Sequence, residues 1–148
     1  MSHLQATFPP SPPALTAVAD IMQPPLTTVE QYDHVAAAAY LMKHAGTTAL
    51  IVLDAATDRL IGIITEADVA DAVADGKDVN DVRIHNVMTT RPTVITPATS
   101  IREAAKIMTS SRFQHLLVMD DTGLRGVVHI SDVCRALLID SHRQNGQA

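Results

Sequence analysis

Two stretches of the chain, LIGIITEADVADAV at 60–73 and LRGVVHISDVCRAL at 124–137, are versions of one pattern. Each is an apolar run broken by a glycine. Each then passes into a helix-like segment with an aspartate three residues beyond the end of the run. The correspondence continues upstream: Met22 and Met88, Thr27 and Thr93, Met42 and Met108, and Asp54 and Asp120 are each 66 positions apart. From Gly62 and Gly126 onward the offset is 64, through Asp68/Asp132, Val69/Val133 and Ala72/Ala136. The change falls between Asp54 and Leu60, in a turn, where shortening disturbs least. A duplication of this length constrains the fold strongly, because whatever one copy forms the other must form too.

Each copy opens on a short extended piece, TTV at 27–29 and TVIT at 93–96. An Ala-rich amphipathic helix follows, expected over 35–44 and 101–111. Ser100-x-x-Glu103 is a capping box for the second, and Asp33 is the expected cap of the first. Next come paired apolar runs, ALIVLD with LIGIIT and HLLVMD with LRGVVH. Their connections are too short for a parallel crossover, so they read as antiparallel hairpins. A closing helix completes each copy, over 67–75 and 130–141. The predicted fold is therefore α/β (α+β): two β-α-β-β-α repeats packed with pseudo-twofold symmetry. A unit of about 60 residues is marginal alone, and two can cover each other's sheets. The expected boundaries are a disordered Pro-rich lead at 1–13, a first repeat with leading helix at 14–77, a second repeat with linker helix at 78–141, and a flexible tail at 142–148.

Composition narrows the function. Net charge is −5, the 11 basic residues are scattered, and aromatic content is 3% without tryptophan. Nucleic-acid and anionic-membrane binders carry basic patches, and single-strand binders carry aromatic platforms, so neither partner is expected. No apolar stretch approaches the roughly 20 residues of a membrane span, and no signal peptide is evident. With a single cysteine, a soluble cytoplasmic protein is expected. That residue, Cys134, reads as a packing residue. The matched methionines read as core or dimer surface. No Gly-rich phosphate loop, hydrolase elbow or paired catalytic carboxylates occur, so no enzymatic activity is expected.

Thr65-Glu66-Ala67-Asp68 is a capping box, and capping alone accounts for it. In the second copy the threonine position is His129, a poor cap, yet Asp132 is present. A carboxylate without its capping partner is available to accept hydrogen bonds from a pair of ligand hydroxyls.

Gly-hydrophobic-hydrophobic-Thr-x-x-Asp after a hairpin, present twice about 65 residues apart, resembles a tandem pair of CBS domains, a Bateman module. The resemblance spans roughly Val18 to Leu138. It implies a regulatory module without a required cofactor that binds an adenosine ligand (AMP, ADP, ATP or S-adenosylmethionine) between the repeats. It implies ribose on Asp68 and Asp132, phosphate on Thr65 at a helix start, and small aliphatic side chains around the base. A disc-shaped homodimer or a protein partner in trans would carry the signal. The stripe Val69, Val73, Val133 and Leu137 could supply the dimer face, although core packing would produce the same stripe. The alternative is an interaction protein with vestigial sites.

The second copy departs from that pattern. A turn centred on Thr122 pairs Asp120 with Leu124 and therefore His115 with His129, with Cβ atoms about 4.5–5.5 Å apart. Arg112 closely precedes this hairpin. The first copy has Gly46, Ala49 and Thr65 at the corresponding places. Three readings stay open. Arg112, His115 and His129 form a phosphate clamp that tightens as pH falls. The two histidines and Asp132 hold zinc. Or the site is dead. The two clefts should in any case be unequal.

Overall fold

The computed structural model describes residues 16–25 and 27–145. The lead expected at 1–13 lies outside them. The first repeat comprises β1 (Thr28–Glu30), α1 (Val35–Ala45), β2 (Ala49–Leu53), β3 (Leu60–Thr65) and α2 (Glu66–Ala74). The second comprises β4 (Val94–Ile95), α3 (Ile101–Ser111), β5 (His115–Asp120), β6 (Gly123–His129) and α4 (Ile130–Asn145). The predicted β-α-β-β-α order is observed twice. In each three-stranded sheet the first strand runs parallel to the second, and the second and third form the antiparallel hairpin. α4 continues to Asn145, past the boundary expected at 141.

Strand periodicity explains why the apolar runs are nearly continuous. Successive side chains point to opposite faces, and both faces are covered. Leu50, Val52 and Ile64 join the first repeat's helical core, while Leu116, Val118 and Val128 join the second's. The intervening residues Ile51, Ile63 and Leu117 form a third cluster, with Val127 packed against it. These four are related by the repeat offsets, so this cluster is the seam where sheet meets sheet. Burying each such side chain contributes about 1.5–3 kcal/mol.

The segments that lead into the repeats are exchanged between them. Val18, in a 3-10 turn at Val18–Asp20, is fully buried in the second repeat's core, and its N–H donates to Thr99 O at 2.9 Å. Ile84, in the matching turn Ile84–Asn86, is buried in the first repeat's core, and its N–H donates to Asp33 O at 2.8 Å. Downstream of each turn the chain pairs with a sheet edge. Gln23 and Val127 exchange two backbone bonds of 2.9 Å, and Thr89 and Ile63 exchange bonds of 2.8 and 3.0 Å. Each leading turn thus packs on the opposite repeat from the one with which sequence order groups it.

This crossing accounts for the glycine in each apolar run. A Cβ on Gly62 would collide with the Thr89 carbonyl. One on Gly126 would stand 2.8 Å from the Gln23 carbonyl oxygen and 3.0 Å from the Met22 side chain. Close backbone approach is one of the uses of a strand glycine.

Two local expectations need correction. The α1 cap position is His34, without a side-chain cap bond; the Asp33 carboxylate instead accepts from Glu30 N at 3.0 Å. Asp120 pairs with Gly123, not Leu124, and Met119 pairs with Leu124. The Asp120 carboxylate closes the turn by accepting from Thr122 N at 2.8 Å and Thr122 Oγ1 at 2.6 Å. A bulge between Val118 and Met119 then absorbs one residue, and His115 does face His129. Ser100 caps α3, accepting from Glu103 N at 3.0 Å, so one half of the expected capping box is formed.

The expected dimer stripe divides. Val133 is core and Leu137 packs against it, Val69 packs on the first core, and Val73 stays exposed. Cys134 is also exposed rather than packed. Met42 and Met108 are buried, with Met22 and Met88 packed against the two cores. Among the described residues no helix is long and apolar enough to cross a membrane.

Candidate functional site: a cavity between the repeats

The buried polar or charged residues among those described are His115 and Asp132. Both line one cavity of about 590 Å³. The first repeat supplies one wall through the turn after α1, from Ala45 to Ala49, and through Ile51. The second supplies the opposite wall: His115, Val127, His129, Ser131, Asp132 and Arg135. The crossing segment Gln23–Pro25 and Thr27 complete the enclosure. Gly46 ends α1 in the left-handed conformation (φ 66°), which a glycine adopts without steric cost. This turns the chain so that Thr47 and Thr48 present themselves to the cavity.

Asp132 sits in the first turn of α4, where a carboxylate is favoured. Its Oδ2 accepts from His129 N at 3.0 Å. The carboxylate half of a capping box is therefore retained, although the box is not reciprocal. The imidazole supplies the other half in altered form. Ser131 N–H, which can only donate, lies 3.1 Å from His129 Nδ1, and Ser131 Oγ lies 2.6 Å from the same nitrogen. Nδ1 is thus the acceptor of the Ser131 N–H bond. Asp132 Oδ1 is differently placed. Its contacts, with Gln23 Nε2 and Arg135 Nη1, are both 3.5 Å long. A buried carboxylate oxygen so weakly engaged retains lone pairs for further donors.

His115 Nε2 lies 2.7 Å from Thr48 Oγ1, a bond between repeats. Its ring centroid is 4.7 Å from that of His129. Burial, with a smaller contribution from His129, pushes the His115 pKa down to about 4, against the opposing pull of Asp132. His115 is therefore neutral at pH 7 and supplies no cation to a phosphate there, which removes it from the protonated clamp. The zinc alternative also lacks support, since no cluster of three or more His, Cys, Asp or Glu with metal-binding geometry occurs among the described residues.

The other predicted site residues lie elsewhere. Thr65 and Asp68 form a full reciprocal box: Asp68 N donates to Thr65 Oγ1 at 3.2 Å, and Thr65 N donates to Asp68 Oδ2 at 2.9 Å. Thr89 Oγ1 approaches both carboxylate oxygens at 3.3 Å. Partial burial raises the Asp68 pKa, against those hydrogen bonds, and the Asp71 charge adds to the rise. Neither Thr65 nor Asp68 lines the 590 Å³ cavity. Arg112 does not line it either; it ends α3 in the left-handed region (φ 58°). It is the counterpart of Gly46, so the pseudo-twofold places it with Asp68, not with the histidines. The structure thus unites His115, His129 and Asp132 and separates Arg112, Thr65 and Asp68 from them. Sequence reasoning missed Arg135, Gln23 and Thr48. Arg135 was within reach, because its counterpart at the 64-residue offset is Asp71, a charge reversal next to the motif aspartate.

Fold and cavity together define a tandem β-α-β-β-α pair with a ligand-sized cleft between its halves. The chain belongs to the CBS-domain family, whose profile matches residues 18–75 and 79–139. An uncharacterized 17.7 kDa protein from Acidianus ambivalens is 35% identical over 124 residues, 83% of this chain and 74% of its own length. The structure of a protein with CBS domains from Burkholderia ambifaria aligns with a TM-score of 0.78 at 32% identity, covering 84% of this chain and 96% of that one. The structure of CBSX2 in complex with AMP aligns with a TM-score of 0.66 at 26% identity, covering 84% and 98%.

Proposed function

We propose that this chain is a regulatory module that takes an adenosine-containing nucleotide in the cavity between its repeats. The supporting observation is Asp132 Oδ1, buried at a helix start, bordering the cavity and held among the described residues by two 3.5 Å contacts. A ribose diol offers two donors to such an oxygen. Ile51, Val127 and the Pro24–Pro25 pair offer apolar surface for a base without aromatic stacking. A volume of about 590 Å³ suits a ligand of this size. The AMP complex of CBSX2 points the same way. Candidate ligands are AMP, ADP, ATP and S-adenosylmethionine. Because both walls come from different repeats, ligand binding changes the population of their relative arrangements, and self-association as a homodimer or a protein partner in trans would read it.

A thermal-melt screen with those four ligands tests this reading. At 100 times its dissociation constant a ligand adds about 2.7 kcal/mol, a rise of roughly 5–10 °C for a domain of this size. Asp132→Asn keeps an oxygen able to accept from His129 N but removes the charge, and it should abolish the shift. Asp68→Asn should leave it intact. Absence of a shift with every ligand would favour the alternative, an interaction protein with vestigial sites.

A further inference from the structure

Arg135 is placed to read the charge of whatever the cavity holds. Its guanidinium stands one helical turn beyond Asp132 on α4, with Nη1 3.5 Å from Oδ1, and its side chain is 67% exposed. Gln23, Asp132 and Arg135 border the 590 Å³ cavity and also a smaller adjoining groove of about 250 Å³. The guanidinium therefore has room on either side of its present position. Its contact with Asp132 is long and lacks paired fork geometry, so little holds it there. Two hydroxyl donors on Oδ1 would replace that contact and release the guanidinium toward the cavity mouth. His129 also lines the cavity, with its Nδ1 taken up by Ser131. The Thr48 hydroxyl lies on the opposite wall, already bonded to His115. The repeat offset puts Asp71 at the equivalent place in the first repeat, where its charge falls beside Asp68. The two motif aspartates thus have neighbours of opposite sign.

We infer that Arg135 is the specificity-determining residue of this cavity, selecting adenosine ligands with a negatively charged 5′ substituent over uncharged adenosine and over ligands with a cationic one. The inference rests on the nucleotide reading above. A guanidinium pairs with phosphate oxygens in a charge-assisted, bidentate manner, and it repels a sulfonium. A phosphorylated nucleoside is therefore the ligand class, and S-adenosylmethionine is disfavoured.

Isothermal titration calorimetry of the full chain with adenosine, AMP, ATP and S-adenosylmethionine tests it, on wild type, Arg135→Gln and Arg135→Asp. AMP should bind wild type about 10-fold or more tighter than adenosine and S-adenosylmethionine, the scale of one charged hydrogen-bonding pair. In Arg135→Gln the AMP advantage should fall below about 3-fold, with adenosine affinity unchanged or raised. Arg135→Asp should reverse the preference between AMP and S-adenosylmethionine. An unchanged AMP-to-adenosine ratio in Arg135→Gln, or wild type binding S-adenosylmethionine as tightly as AMP, overturns the charge selection while leaving the nucleotide site standing. No binding of any of the four overturns the nucleotide reading itself, and this inference with it.

Discussion

His115 Nε2 and Thr48 Oγ1 are 2.7 Å apart across the cavity, and the two residues belong to different repeats. This bond joins the walls of the cleft through a side chain that burial keeps neutral.

That burial makes stability depend on pH. His115 has an ordinary pKa of 6.5 and a folded value of about 4. Below pH 6.5 the unfolded chain binds a proton that the folded chain does not, so stability falls as pH drops and levels off below 4. The loss at pH 5 is on the order of 2 kcal/mol. His115→Ala, which copies Ala49 of the first repeat, should lose markedly less stability than wild type between pH 7 and pH 5. Parallel melting curves at the two pH values check this, and equal losses would contradict it.

The two strand glycines should behave alike in stability and differently in binding. Gly62→Ala and Gly126→Ala each force a methyl against crossing backbone, and overpacking of this kind costs about 1–3 kcal/mol. Denaturant unfolding should register both losses. Ligand affinity should fall only in Gly126→Ala, because Gln23, which it displaces, borders the cavity.

Thr65→Ala removes a helix cap whose hydroxyl accepts from Asp68 N. The expected cost is about 1 kcal/mol, a melting decrease of roughly 2–4 °C. Nucleotide affinity of the 590 Å³ cavity should not change, since Thr65 does not border it. A loss of affinity there would place the phosphate on the first repeat after all.

Val18→Ala should destabilise the second repeat, despite its position ahead of the first. Val18 is fully buried among Ile101, Leu116 and Val128, and truncating it should cost about 1–3 kcal/mol. Hydrogen exchange should accelerate in β5 and β6 more than in β2 and β3.

The elements were legible because each is a local pattern. The apolar strand runs, the Ser100 cap, the turn residues and the repeat offset lie within short windows, and α3, β3 and β5 match their predicted bounds. The pairing of His115 with His129 was legible too, although through a register that is one residue out at Asp120 and is restored by a bulge. The site was only partly legible. Arg112 seemed to belong with the histidines because it precedes their hairpin, yet the cavity wall facing them comes from Gly46 to Ala49 of the other repeat.

By itself the sequence determined that one unit occurs twice, which secondary elements each unit contains, and where two matched aspartates stand at helix starts. Only the tertiary structure decided which halves face each other, that Val18 and Ile84 cross to the opposite cores, and that Asp132 rather than Asp68 borders the cavity. The reason is physical. Backbone bonding and side-chain alternation act between near neighbours in the chain, whereas a cleft is built by residues as distant as Thr48 and His115, 67 positions apart, whose meeting depends on how both repeats bury their second faces.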